Sequence, residues 1–177
     1  MRYERTARHF FGGGYNVENL EEIAAAFADS EGVNKVRIVY DGAGIVSASC
    51  APYRMKHTRS LRLVECNGID YTYKYADRTA LDNAMNRRGG CDNVVIVRDG
   101  LITDTSYTNI ALYDGIRWLT PARPLLQGTA LMRLSGEGKL IARDIKAETV
   151  WDYQHIALFN SMIDFGKLVL PTACVVR

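Results

Sequence analysis

The chain has 177 residues, 47% of them hydrophobic, and its 22 Lys and Arg against 20 Asp and Glu leave a formal charge of +2. That size can bury a core as one domain or two small ones, and the near balance of charge predicts neither nucleic-acid nor membrane attraction. Cys50, Cys66, Cys91 and Cys174 are too dispersed for a zinc site or a redox dithiol, and no apolar run or leader pattern points to a membrane or to export. A soluble, cytoplasmic globular protein without a metal is the expectation.

Residues 1–11 are basic and helix-compatible, and Gly12-Gly13-Gly14 ends that segment. Asn16 is placed to cap a second helix, in which Leu20, Ile23, Ala24 and Phe27 recur at helical spacing before Gly32 closes it. Residues 35–40 and 45–50 are rich in Val and Ile and read as strands joined through Asp41-Gly42. Pro52 and the polar, basic stretch to Ser60 read as a linker, which divides the chain into domains 1–55 and 56–177.

After the linker, residues 61–65 alternate and Asn67-Gly68 turns the chain into an aromatic, alternating strand that ends on Lys74. Asp77 can cap a helix over residues 78–88, with Leu81, Ala84 and Met85 on its inner face. Strands follow at 94–97 and 101–104 around Asp99-Gly100, and at 110–113 and 117–119 around Asp114-Gly115. Residues 121–127 read as irregular, and Gly128-Thr129 opens a helix to about residue 136. A strand at 140–145, a short helix at 147–153 and a buried strand at 156–159 complete the reading. Tight turns and an excess of strands in the second part indicate a mixed, largely antiparallel α+β domain.

Four features carry chemistry. Lys74 sits at a strand–helix junction, where an amine can meet a bound carbonyl and form a Schiff base; by spacing alone a surface lysine explains it as well. Asp104 is followed by four hydroxyl residues and Asn109. It suits a protonated heterocyclic nitrogen, or else a turn that satisfies its own backbone. Gly128-Thr129 at a helix start offers free N–H groups to a phosphate, or plain capping. Asn160-Ser161-Met162, directly after the apolar strand, can complete a phosphate cradle or simply turn the chain.

The order of these features is more telling than any one of them. Lys74, Asp77-Arg78, Asp99-Gly100, Ile102-Thr103-Asp104 through Asn109, Leu119-Thr120-Pro121, Leu125 through Thr129 and Asn160-Ser161-Met162 resemble the class IV aminotransferase family. These are the fold-type IV pyridoxal-phosphate enzymes, which include branched-chain and D-amino-acid aminotransferases and aminodeoxychorismate lyase. The similarity covers roughly residues 60–165. It implies an α+β fold of two domains: a small α/β domain, here lacking its first strand or strands, and a larger, mostly antiparallel β domain with helices.

The resemblance also implies pyridoxal 5'-phosphate as cofactor. Lys74 matches the lysine that forms the Schiff base and then shuttles the proton. Asp104 stands where the family usually has glutamate as partner of the pyridine nitrogen, and Asn109 matches an asparagine behind the cofactor. Gly128-Thr129 and Ser161-Met162, introduced by Asn160, match the two phosphate loops. In Arg2-Tyr3-Glu4-Arg5, Arg5 matches a phosphate-binding arginine, with Arg2 in place of the family's histidine; a basic, solvated helix end is the alternative. Leu131 stands where many members have a basic residue, so substrate selection is not carried over. The expected function is transamination or aminodeoxychorismate-type elimination on a small amino substrate, in a homodimer whose pocket lies beside the subunit interface. Asp77-Arg78 and Asn160 are slightly nearer the lyase branch. A shortened homologue that binds the cofactor, or only a partner, without catalysis is the alternative. His9, His57 and His155 read as structural, and Tyr71, Tyr73 and Tyr75 read as lining the cleft or joining the core.

Overall fold

The computed structural model describes residues 2–12, 20–27 and 32–177. Gly13, Gly14 and the expected cap Asn16 lie outside the described residues. The chain divides into two compact units, Met1–Met55 and Lys56–Arg177.

In the first unit, α1 (Arg2–Phe11) and α2 (Leu20–Ala25) accompany an antiparallel hairpin of β1 (Asn34–Asp41) and β2 (Gly44–Pro52). Asp41 accepts the N–H of Ala43 at 2.8 Å, and Gly44 takes a φ of 131°, so the expected Asp-Gly turn forms by side-chain capture and glycine freedom. The α1 helix packs on the hairpin through Tyr40, which meets Tyr3 at 5.6 Å and Phe11 at 6.4 Å, both edge to face.

The second unit holds two sheets. One runs in the order β11 (Val175–Val176), β3 (Leu61–Glu65), β4 (Asn93–Arg98), β5 (Leu101–Thr105). The other runs β10 (Val169–Pro171), β9 (His155–Phe159), β6 (Asn109–Tyr113), β7 (Trp118–Pro121), β8 (Ile141–Arg143). Helix α3 (Thr79–Asn86) is the crossover between the parallel strands β3 and β4, and α4 (Thr129–Gly136) is that between the parallel β7 and β8. The remaining pairs are antiparallel, apart from β11, which lies parallel to β3. The unit is a mixed α+β fold.

Strands buried on both faces need unbroken apolar runs rather than alternation, and residues 94–97 and 156–159 supply them, each fully buried. Between β4 and β5, Asp99 and Gly100 take φ of 52° and 75°, the twist that a two-residue hairpin requires. Under α3, Leu81, Ala84, Val94 and Ile96 pack with Tyr71 and Leu125; under α4, Leu131, Leu134 and Leu140 pack with Ala111 and Phe159.

Three expectations are corrected. Residues 71–74 form no strand: both neighbours of β3 are already taken, by β4 and by the C-terminal β11, and Asp70 bends the run by accepting the N–H of Thr72 at 2.9 Å. The 140–145 strand shrinks to β8, and the 147–153 helix is a 3-10 helix over Ala147–Asp152. Among the described residues, no helix is long and apolar enough to cross a membrane.

Phe159 is fully buried where α4 meets the second sheet. Phe159→Ala should therefore cost about 3–5 kcal/mol, read as a lower urea midpoint with an unchanged slope.

Candidate functional site

The chain leaves the first sheet at Thr105 and enters the second at Asn109. Around this crossover Thr103, Asp104, Thr105, Ser106, Thr108 and Asn109 are all buried. The crossover closes on itself: Thr105 N–H donates to the Thr108 carbonyl at 2.9 Å, Thr108 N–H donates to Thr105 Oγ1 at 3.0 Å, and the two hydroxyls meet at 2.6 Å. The hydroxyl-rich run is thus a turn, and it fixes the carboxylate that precedes it.

That carboxylate is only 5% exposed. Asp104 Oδ1 accepts Asn109 Nδ2 at 2.8 Å and Oδ2 accepts the N–H of Leu126 at 2.9 Å. Asn109 Nδ2 also donates to the Leu126 carbonyl at 2.8 Å, so one amide clamps the carboxylate to the segment before α4. Burial pushes Asp104 up to about 7, because loss of water outweighs the donors from Leu126, Asn109 and Leu125 that favour the charged form.

Gly128 caps α4 with extended φ and ψ of −66° and 151° and, as glycine, makes no side-chain cap bond. A Cβ at Gly128 would overlap the Asn109 side-chain oxygen, so glycine is what lets the helix start close on the clamp. Thr129 is the first residue of α4, whose N–H groups have no intrahelical partner. On the other flank Asn160 donates from Nδ2 to the Tyr107 carbonyl at 3.1 Å. Its Oδ1 accepts the N–H of Met162 at 2.7 Å and of Ile163 at 2.9 Å, so Met162 helps to fold this turn and Ser161 lies at its apex.

Lys74 is exposed on the loop before α3. Asp77 captures Thr79 through its N–H at 2.8 Å and its hydroxyl at 2.6 Å, the capping expected of it. Tyr71 is buried in the core under α3 and Tyr75 packs against it, so these two rings anchor the loop. A cavity of about 280 Å3 opens beside the loop, walled by Asp70, Tyr71, Tyr75, Asp77, Arg78 and Leu81; Lys74 and Asp104 are not in its wall. Arg5 lies exposed on α1, in the first unit.

The structure therefore joins Asp104, Asn109 and Gly128 in one hydrogen-bonded and packed group, and Asn160 reaches the same crossover through the Tyr107 carbonyl. Sequence reasoning gave no role to Arg78, which donates to the Ser106 carbonyl at 2.7 Å, or to Asn93, whose side-chain oxygen accepts from the Ser106 hydroxyl at 2.7 Å. Arg78 was visible only as the neighbour of Asp77, and Asn93 carries no signal beyond preceding an apolar run.

Known proteins share this architecture. An uncharacterized Haemophilus influenzae protein is 31% identical over 166 residues, which span 92% of this chain and 87% of that one. A crystal structure from Haemophilus somnus 129PT, provisionally assigned as a 4-amino-4-deoxychorismate lyase, superposes with a TM-score of 0.82 at 35% identity, over 92% of this chain and 86% of that one. The chain belongs to the class IV aminotransferase family, the fold-type IV pyridoxal-phosphate enzymes. A Mycobacterium tuberculosis protein termed a hypothetical aminotransferase, in its PLP-bound form, shares the fold with a TM-score of 0.71 at 17% identity, over 93% of this chain and 71% of that one. No family model matches the chain.

Two outcomes follow from the clamp. With a folded pKa near 7 against 3.8 when unfolded, Asp104 keeps its proton in the native state after the unfolded chain has lost it. Its contribution to stability thus falls as pH rises from about 4 to 7, by on the order of 4 kcal/mol, and stays low above that. Asp104→Asn should flatten this part of the pH dependence in cofactor-free protein, measured by urea unfolding from pH 5 to 8. Gly128→Ala should cost about 1–3 kcal/mol by overpacking, and combined with Asn109→Ala it should cost less than the sum of the two single changes.

Proposed function

We propose that this chain is a pyridoxal-5'-phosphate-dependent enzyme that acts on a small amino substrate through Lys74, by aminodeoxychorismate-lyase chemistry in preference to transamination. The buried, clamped carboxylate of Asp104 carries this reading. Without a partner it is costly above pH 7, and a protonated ring nitrogen would relieve that cost as both ion-pair and hydrogen-bond partner. The residues fit the cofactor on a second count, because the first N–H groups of α4 have no intrahelical partner and its cap, Gly128, carries no side chain to take them. The lyase preference rests on the 35% identity with the Haemophilus somnus protein over 86% of its length.

When bound, the cofactor supplies an electron sink for charge that develops beside the substrate amine. The chain's own residues do the rest. Lys74 Nζ would hold the cofactor covalently and, as a free amine, would take the proton from the amine-bearing carbon of the substrate and pass it to the departing enolpyruvyl group, whose C–O bond to the ring breaks as pyruvate leaves. Asp104 would keep a proton on the ring nitrogen, and Asn109 holds Asp104 through its bond to Oδ1. Gly128 and Thr129 would offer a phosphate their backbone N–H groups, with the Thr129 hydroxyl beside them, and Ser161, at the apex of the turn that Asn160 and Met162 fold, would offer its hydroxyl. A second copy of the chain is the partner in this reading, and the cytoplasm its compartment.

Incubation with pyridoxal phosphate should give a visible absorption band, and borohydride should fix the added mass on the peptide that contains Lys74. Lys74→Ala should show neither. The wild type should also release pyruvate from 4-amino-4-deoxychorismate. A wild-type protein that stays colourless overturns the reading. A coloured protein that releases neither pyruvate from that substrate nor a keto acid from an amino-acid panel favours the binding-only alternative.

A further inference from the structure

Among the described residues no strand pairs with the loop that carries Lys74, and Arg78 ties that loop to the crossover. Tyr71 donates from its hydroxyl to the Tyr75 carbonyl at 3.0 Å, and the two rings meet edge to face at 5.9 Å, which brackets Lys74 between them. One arm of Arg78 donates to that same Tyr71 hydroxyl at 3.4 Å, and the guanidinium carbon stands 5.8 Å from the ring centroid. The other arm donates to the Ser106 carbonyl at 2.7 Å, inside the crossover that fixes Asp104. Ser106 is held in turn by Asn93, whose Oδ1 accepts the Ser106 hydroxyl at 2.7 Å and its neighbour's Val94 N–H at 2.8 Å. Asn93 is fully buried and its Nδ2 has no partner among the described residues. A buried amide nitrogen without an acceptor is unfavourable, so this side chain is better explained by the Ser106 hydroxyl it holds than by core stability.

We propose that Arg78 is the positioning residue that sets where Lys74 stands relative to Asp104, with Ser106 and Asn93 as its anchor. The inference rests on reading Lys74 as the cofactor amine. The start of α3 does not require the guanidinium, because Asp77 already captures Thr79 there. The planar fork is what the geometry uses: two donors at a fixed angle join the amine loop to the carboxylate turn. A lysine ammonium is a compact point charge and cannot hold both acceptors in that fixed geometry.

The test compares full-length wild type with Arg78→Met, which keeps a stem against Tyr71, and Arg78→Lys, which keeps the charge. Three quantities besides turnover are read: pyridoxal phosphate affinity from the visible band, the pH midpoint of that band, and the rate at which trinitrobenzenesulfonate labels Lys74 in cofactor-free protein, located by peptide mapping. Both variants should bind about tenfold more weakly, which corresponds to one charge-assisted hydrogen bond. Their pH midpoint should move and their Lys74 labelling rate change severalfold, while ethylguanidinium should restore binding to Arg78→Ala. Wild-type affinity, midpoint and labelling in Arg78→Met overturn the proposal, even if its melting temperature falls. If the wild type itself forms no band, the cofactor reading fails separately, and an altered Lys74 labelling rate in the variants still upholds the positioning role.

Discussion

A carboxylate kept out of water is the constraint around which the second unit is arranged. Asp104 stands at the end of β5 just before the chain changes sheets, with both oxygens bonded inside the protein. A buried charge needs such donors, since solvent cannot supply them. The donors come from two directions: the Asn109 side chain at the start of β6, and the Leu126 backbone just before α4. One polar cluster therefore ties together two sheets and a helix start, and directional bonds fix their spacing more strictly than apolar packing does.

The arrangement has a cost. Desolvation prevails over the donors and leaves Asp104 poised near neutrality rather than in the ordinary carboxylate range. In a protein meant only to be stable, an apolar residue or a solvated turn would be the better choice at this position. In the proposed reading, a cationic ligand that relieved this cost would convert part of its binding energy into native-state stability. Exposed ion pairs such as Arg123–Asp144, with side chains 68% and 44% exposed, have no comparable leverage.

Much of the scaffold was legible because its signals are local. The apolar runs of β4 and β9, the Asp99-Gly100 turn and the Gly128-Thr129 helix start each announce themselves within a few residues. Residues 71–74 misled for a physical reason: aromatic alternation fits a strand, but a strand needs a vacant neighbour, and β11 at the far C-terminus had taken the place beside β3. A ladder of two residues closing over more than a hundred positions of sequence leaves no local trace. The candidate site was legible as an order of residues along the chain. That Asn109 bonds to both Asp104 and Leu126, and that Arg78 reaches Ser106, depends on side-chain directions that no spacing encodes.

The same bonds explain why aspartate, and not glutamate, suits this place. The Leu126 N–H approaches Asp104 Oδ2 to 2.9 Å, and the segment can come so near because Gly128 carries no Cβ to strike Asn109. One more methylene would drive the carboxylate about 1.5 Å further, into the Leu126 segment or out of reach of Asn109. Either move breaks part of the clamp. The shorter acid, the glycine at the helix start and the asparagine between them are therefore a single packing solution, in which each residue is permitted by the size of the other two.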